Sequence, residues 1–284
     1  MKTVLDCIPC FVRQTLDAAR ISSEDPIVHE KITREVLDWL SKTDMDLSPP
    51  ALAQRIHRRL RELTGINDPY RAQKDQHNRL ALQLLPGLRK QVEASDDPLM
   101  TAAHLAIAGN IIDLGAKSGL HEDEIHEAIQ KAASEPLQGD VESFRQEVKS
   151  AGRILYLADN CGEIVFDTLL IEQLGPERVT VAVRGRPIIN DATLDDARTA
   201  GLDRMVPIIG NGSDAPGTLL DDCNDEFREQ FEQADLILSK GQGNFETLSD
   251  CPKNIFFLLK VKCPVVSETI GLPIGSHALR SSRL

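Results

Sequence analysis

The sequence predicts an α/β protein, with a doubly wound, mostly parallel sheet preceded by an all-helical N-terminal region. Three observations predict it. Short, nearly continuous apolar runs recur after residue 150, helical stretches separate them, and before residue 150 the apolar period is helical.

In the first part, "LALQLLPGLRKQV", the segment 99–116 and "EDEIHEAIQKAA" carry apolar residues at helical spacing, and no stretch reads as a strand. Pro26, the SPP at 48–50, Pro86, Pro98 and Pro136 punctuate this part as helix starts or breaks. A Gly-Asn pair interrupts the apolar "AIAGNIID" (106–113), where each residue costs helix stability. Either Gly109 permits close helix packing, or Asn110 reaches a ligand over the sheet edge.

In the second part, "RILYLA" (153–158), "RVTVAV" (178–183), "RMVPII" (204–209), "ADLILS" (234–239) and "NIFFLL" (254–259) suit strands covered on both faces. Helical segments such as 163–174 and 224–233 lie between them, which implies right-handed βαβ crossovers. The expected organisation is a helical region, 1–150, covering the site of an α/β metal- and phosphate-binding domain, 151–284.

Composition narrows the function. A formal net charge of −12 and a pI near 5.1 disfavour general binding to nucleic acid or anionic membranes. The basic "RIHRRLRE" (55–62) places Arg55, Arg58 and Arg59 on one helical face, which reads as solvated surface in so acidic a chain. The N-terminus lacks a signal peptide's apolar core, and no stretch approaches the roughly 20 apolar residues that span a bilayer. A cytoplasmic protein is expected, with its six cysteines as thiols. Cys7 and Cys10 form a C-x-x-C, but no second pair at metal spacing completes a zinc set, so ordinary thiols are expected there too.

Ligands of open parallel sheets bind beyond the carboxyl ends of the strands. The loops expected there are "DNCGE", "RGRPIINDAT", "GNGSDAPGT" and "KGQGNFET", rich in Asp, Asn, Lys and Gly. Asp159 and Asn160 with Asn190 and Asp191 offer hard oxygen ligands that suit Mg²⁺ or Mn²⁺ over zinc. The alternative is that these Asx residues merely cap the helices that follow. In "KGQGNFE", Gly241 and Gly243 permit close backbone approach and Lys240 adds a point charge, the makings of an anion cradle, although neither a Walker A nor a dinucleotide fingerprint is present.

Together "LADNCGEIVFD", "VRGRPIINDAT", "SKGQGNFETLS", "AIAGNIIDLGA", "DCIPCFVRQ" and "NDPYRAQKDQHNRLAL" resemble the metal-dependent damage-control phosphatases, specifically their prokaryotic subfamily, from residue 4 to about 277. The resemblance implies one divalent cation, Mn²⁺ or Mg²⁺ with Ni²⁺ or Co²⁺ as substitutes, held by Asp159, Asn160 and Asp191. It maps a phosphate loop onto Lys240, Gly241, Gly243 and Asn244, and implies small phosphorylated metabolites as substrates. Cys161 stands where similar proteins often carry alanine. The reading that follows is a phosphatase with Asp159 and Lys240 catalytic and Asn110, Lys240, Gly241, Gly243 and Asn244 on the substrate. A carboxyl methyltransferase using S-adenosylmethionine is the rival, because a eukaryotic branch is so described. The sequence leaves the oligomeric state open.

Overall fold

The computed structural model describes residues 1–112 and 122–283. Seven strands among the described residues form one sheet: β1 (Leu137–Gly139), β2 (Ile154–Leu157), β3 (Val179–Val183), β4 (Ile208–Gly210), β5 (Leu236–Lys240), β6 (Ile255–Lys260) and β7 (His277–Ser281). Their order is β1-β7-β6-β5-β2-β3-β4, and every neighbouring pair is parallel except β6 with β7. The chain order reverses at β2, whose two neighbours are β3 and β5. That switch point opens a crevice between the ends of β2 and β5, the place where such sheets bind ligands.

Alternate strand residues serve opposite faces, and both are buried. Tyr156, Val181, Leu238 and Leu258 pack toward helices Pro98–Ala108 and Glu163–Leu174. Leu155, Ile237, Phe257 and Leu259 pack toward Phe227, Phe231 and Leu248 on the other side. This double burial is why the runs are nearly continuously apolar.

The division at residue 150 requires correction. Leu137–Gly139 pairs with β7, so the N-terminal part is not all-helical, and the three-residue strand is too short to carry an alternating pattern. One apolar core joins Leu84, Leu88, Ala103 and Ile107 to the sheet, so helices Arg71–Glu93 and Pro98–Ala108 belong to the α/β layer. Only helices Cys7–Ser22, Pro26–Leu40 and Pro49–Thr64 build a cluster of their own, around Phe11, Ile32, Val36 and Leu60. Pro26, Pro49, Pro50 and Pro98 open helices as expected, but Pro86 lies inside Arg71–Glu93 and does not end it. The expected helical pattern at 113–116 lies outside the described residues.

The basic helix face is neither a phosphate site nor simply solvated. Arg58 donates from Nε to Asp214 Oδ1 at 2.9 Å, Arg61 pairs with the same buried carboxylate, and Gln54 donates to it at 2.8 Å. Arg59 pairs with Glu35, and Arg55 stacks on Trp39. The contacts to Asp214 fasten the three-helix cluster to the loop after β4, and the other two join helices within the cluster. Removing the counter-charges of a buried carboxylate typically costs about 3–5 kcal/mol. The Arg58→Ala, Arg61→Ala double variant is therefore expected to lose stability on that scale in urea unfolding. A midpoint within error of the wild type would show the clamp to be idle.

Candidate metal and phosphate site

At the carboxyl end of β2 the chain runs Ala158-Asp159-Asn160-Cys161-Gly162 into the helix Glu163–Leu174. Backbone pairing locks this loop to the one after β3: the Ala192 amide donates to Asp159 O at 2.8 Å and the Cys161 amide to Asn190 O at 2.9 Å. Asn160 and Asp191 thereby face each other in an antiparallel bridge. Gly241, with φ of 81°, closes the third side; a Cβ there would overlap the Asp159 carboxylate. Only glycine lets the β5 edge pass so near a carboxylate.

The capping alternative fails on this geometry. Helix Glu163–Leu174 begins at Gly162 with no side-chain cap, and helix Leu194–Thr199 is capped by Thr193 in a box with Asp196. Asp159, Asn160 and Asp191 are instead buried side chains on the wall of a cleft of about 390 Å³. Cys10, Phe11, Gln14 and Pro50 from the helical cluster form its opposite wall, with Gly243, Glu246 and Lys262 at the side.

Electrostatics single out Asp159. Burial, then the charges of Glu163 and Asp191, push its pKa up to about 8, against partial relief from Lys262 and Arg184. Burial also raises Asp191, although Arg184 Nε donates to its Oδ2 at 2.7 Å. Arg184 Nη2 lies 3.9 Å from Asp159 Oδ1 and makes no hydrogen bond among the described residues. Four buried carboxylates, Asp159, Glu163, Asp167 and Asp191, thus face two buried cations, Arg184 and Lys240. An all-oxygen set short of positive charge fits a hard divalent cation. Both amide hydrogens of Asn160 are committed, to Asp159 Oδ2 at 2.9 Å and Glu163 Oε1 at 2.8 Å, so Oδ1 is the atom it could offer a cation.

Other expected site residues fall differently. Lys240 is 1% exposed, and its ammonium donates to Ala106 O and Asp167 Oδ1, both at 2.8 Å, and to Glu163 Oε2 at 3.3 Å. It lies beneath the cleft, not in it, which corrects its expected place on a phosphate. Asn244 is also fully buried, clamping Lys240 O and accepting from Thr218. The Gly241 amide is spent on Leu258 O, and of the residues expected on the anion only Gly243 lines the cleft, together with Gln242 and Glu246 of the same loop. Asn110 donates to Glu163 Oε1 at 2.6 Å and does not reach the cleft. Gly109 serves close packing, since a Cβ would meet Phe166 at 3.0 Å and Glu163 Cα at 3.3 Å. All six cysteines are free; Cys10 lines the cleft, while burial raises the Cys7 thiol.

Sequence reasoning missed Arg184, Lys262, Glu163 and a support beneath the loop. There Asn78 accepts from the Gly162 amide at 2.7 Å and donates to Asp196 at 2.9 Å, and Asp196 pairs with buried Lys74 at 2.7 Å. Arg184 had a readable signal, as a charge directly after a strand. Lys262 had none.

The comparisons with known proteins give the family and the fold. A model described as "Damage-control phosphatase ARMT1-like domain" matches residues 3–277. This chain belongs to that family. A damage-control phosphatase of Archaeoglobus fulgidus is 39% identical over 276 residues, covering 95% of each chain. One from Pyrococcus horikoshii is 33% identical, covering 97% of this chain and 96% of that protein. The crystal structure of a DUF89 family protein from Pyrococcus horikoshii superposes with a TM-score of 0.91 at 32% identity and covers 99% of both chains. No described helix is long and apolar enough to cross a membrane.

Two outcomes follow for this member of the family. A carboxyl whose folded pKa is raised contributes stability that is fully present below its unfolded value, near 3.8, and is lost as pH rises through its folded value, about 8. In metal-free protein, wild type should therefore lose stability relative to Asp159→Asn between those limits; parallel pH–stability curves would contradict the assignment. Lys240→Met should cost about 3–5 kcal/mol in chemical unfolding, because it strands Glu163 and Asp167. A surface lysine would leave the unfolding midpoint unchanged.

Proposed function

We propose that this chain is a divalent-cation-dependent phosphomonoester hydrolase acting on small phosphorylated metabolites, sugar phosphates or damaged phosphometabolites, in the cytoplasm. The observation that carries the reading is the buried Asp159–Asn160–Asp191 set, deficient in positive charge and opening into a cleft that Lys262 also lines. Family membership supports the phosphatase class.

Asp159, Asn160 and Asp191 would hold the cation, Mn²⁺ or Mg²⁺ with Ni²⁺ or Co²⁺ as substitutes, through oxygen atoms. When bound, such an ion supplies charge stabilisation to phosphoryl oxygens. The protein's own groups do the rest. Lys262, exposed on the cleft wall, takes the phosphate-binding part expected of Lys240. Its charge already acts on Asp159, and no side-chain partner among the described residues engages its ammonium. Asp159, beside the cation it would hold, would also orient the attacking water and take up its proton. Gln14, Asn190 and Glu246 offer hydrogen bonds to the hydroxyls of a small polyol phosphate. Phe11 and Pro50 screen the reaction from solvent.

The methyltransferase reading gains nothing from the fold. A Cβ on Gly162, the one glycine in the loop after β2, would meet Ile112 and His77 at 3.1 and 3.2 Å, so that glycine serves close packing against helices.

The test is a panel of phosphorylated metabolites with Mn²⁺, Mg²⁺, Ni²⁺ and Co²⁺, with phosphate release as the readout. Asp159→Ala and Asp191→Ala should lose both bound metal and turnover. Lys262→Ala should lower kcat/KM roughly a hundredfold, equivalent to about 3 kcal/mol, with the metal still bound. Release that proceeds equally in a chelator would overturn the metal requirement. A change below threefold in Lys262→Ala would remove that residue from the site.

A further inference from the structure

An asparagine that ligates a cation must present its oxygen, and nothing in the residue itself decides which end of the amide faces the ion. Here the surroundings decide it. Asn160 Nδ2 lies 2.9 Å from Asp159 Oδ2 and 2.8 Å from Glu163 Oε1. Turning the amide over would withdraw its N–H groups from both oxygens and forfeit the two hydrogen bonds. Asp159 is itself placed to give its charge to a cation, so the acceptor that persists is Glu163.

Glu163 is built for that role and for no contact with substrate. It is 4% exposed and absent from the cleft wall. Its Oε1 receives a second amide, from Asn110 at 2.6 Å, and its Oε2 faces the Lys240 ammonium at 3.3 Å. Asn110 reaches it because Gly109 lets the end of helix Pro98–Ala108 lie against Glu163, within the space a side chain would fill. The Gly-Asn interruption of the apolar "AIAGN" segment thereby has a single explanation. Glycine brings the helix end close, and asparagine ties down the carboxylate.

Resting on the metal-dependent reading above, we propose that Glu163 and Asn110 are positioning residues that lock the Asn160 carboxamide with its oxygen toward the cation. Glu163 acts directly on Asn160, while Asn110 and the Lys240 ammonium hold Glu163 in place. Outer-sphere partners of this kind typically govern metal affinity by about 10–100-fold.

The test is calorimetric titration of metal-free protein with Mn²⁺, with thermal unfolding of each variant as the folding control. Glu163→Gln keeps the shape but leaves one acceptor oxygen where the Asn160 and Asn110 amides and the Lys240 ammonium occupy two, and should weaken Mn²⁺ binding about 10–100-fold. Combining it with Asn160→Asp exchanges donor and acceptor: the introduced glutamine amide then donates to a carboxylate that ligates through either oxygen. The double variant should recover most of the loss, a rescue that a merely structural role for Glu163 would not produce. Asn110→Ala, which leaves every charge in place, should weaken binding by a smaller factor and serves if Glu163→Gln does not fold. Wild-type affinity in Glu163→Gln or in Asn110→Ala, or a double variant no better than the single, overturns the proposal while leaving the metal site standing. A wild-type protein that binds no Mn²⁺ overturns both.

Discussion

Burying Asp159 beside Asp191 is the constraint on which the rest of this sheet edge depends. Two carboxylates at the ends of adjacent strands repel each other and lose hydration, and the protein answers with Arg184 on one side and Lys240 beneath. Neither cation is spent on the cleft. Arg184 is fixed to Asp191, and Lys240 is divided between Asp167 and Glu163. Burial, then the charges of Glu163 and Asp191, raises the proton affinity of Asp159, and the remaining shortfall of positive charge there suits a divalent cation. The glycine at 241 belongs to the same problem, since a side chain there would occupy the carboxylate's own space.

The helical segments contribute more than cover. Helix Arg71–Glu93 supplies Asn78, which accepts the Gly162 amide and so sets the turn that carries Asp159 and Asn160. The end of helix Pro98–Ala108 lies against the next turn, where Gly109 meets Glu163. Helices Cys7–Ser22 and Pro49–Thr64 form the far wall of the cleft, and Arg58 and Arg61 fasten the latter to Asp214. A site of this kind cannot be assigned to one half of the chain. Its buried acids lie in loops at the sheet edge, while their orientation and enclosure come largely from helices that precede it.

What the sequence by itself determined is local or follows from general rules. The apolar runs marked strands β2, β3, β5 and β6 within a residue or two, because a buried parallel strand needs both faces apolar. The rule that ligands gather at strand carboxyl ends was enough to bring Asp159, Asn160 and Asp191 together, and they do line one cleft. Strand β4 was harder, being only three residues long and starting after Pro207. Strand β1 was illegible for the same reason of length.

Tertiary structure alone decided which lysine enters the cleft. Lys240 shares its strand parity with Leu236 and Leu238, so its side chain falls on the face covered by helix Glu163–Leu174, among Asp167 and Glu163. The sequence shows that parity, but not that the covering helix carries two acids there. Lys262 lies two residues past β6 in an ordinary "KVKC", and only the neighbouring order of β5 and β6 brings it to the mouth of the cleft. The same holds for Glu163 and Asn110, 53 positions apart. Pattern and propensity act over a few residues, whereas the partner of a buried charge is set by which elements pack together, and that is fixed only when the chain folds.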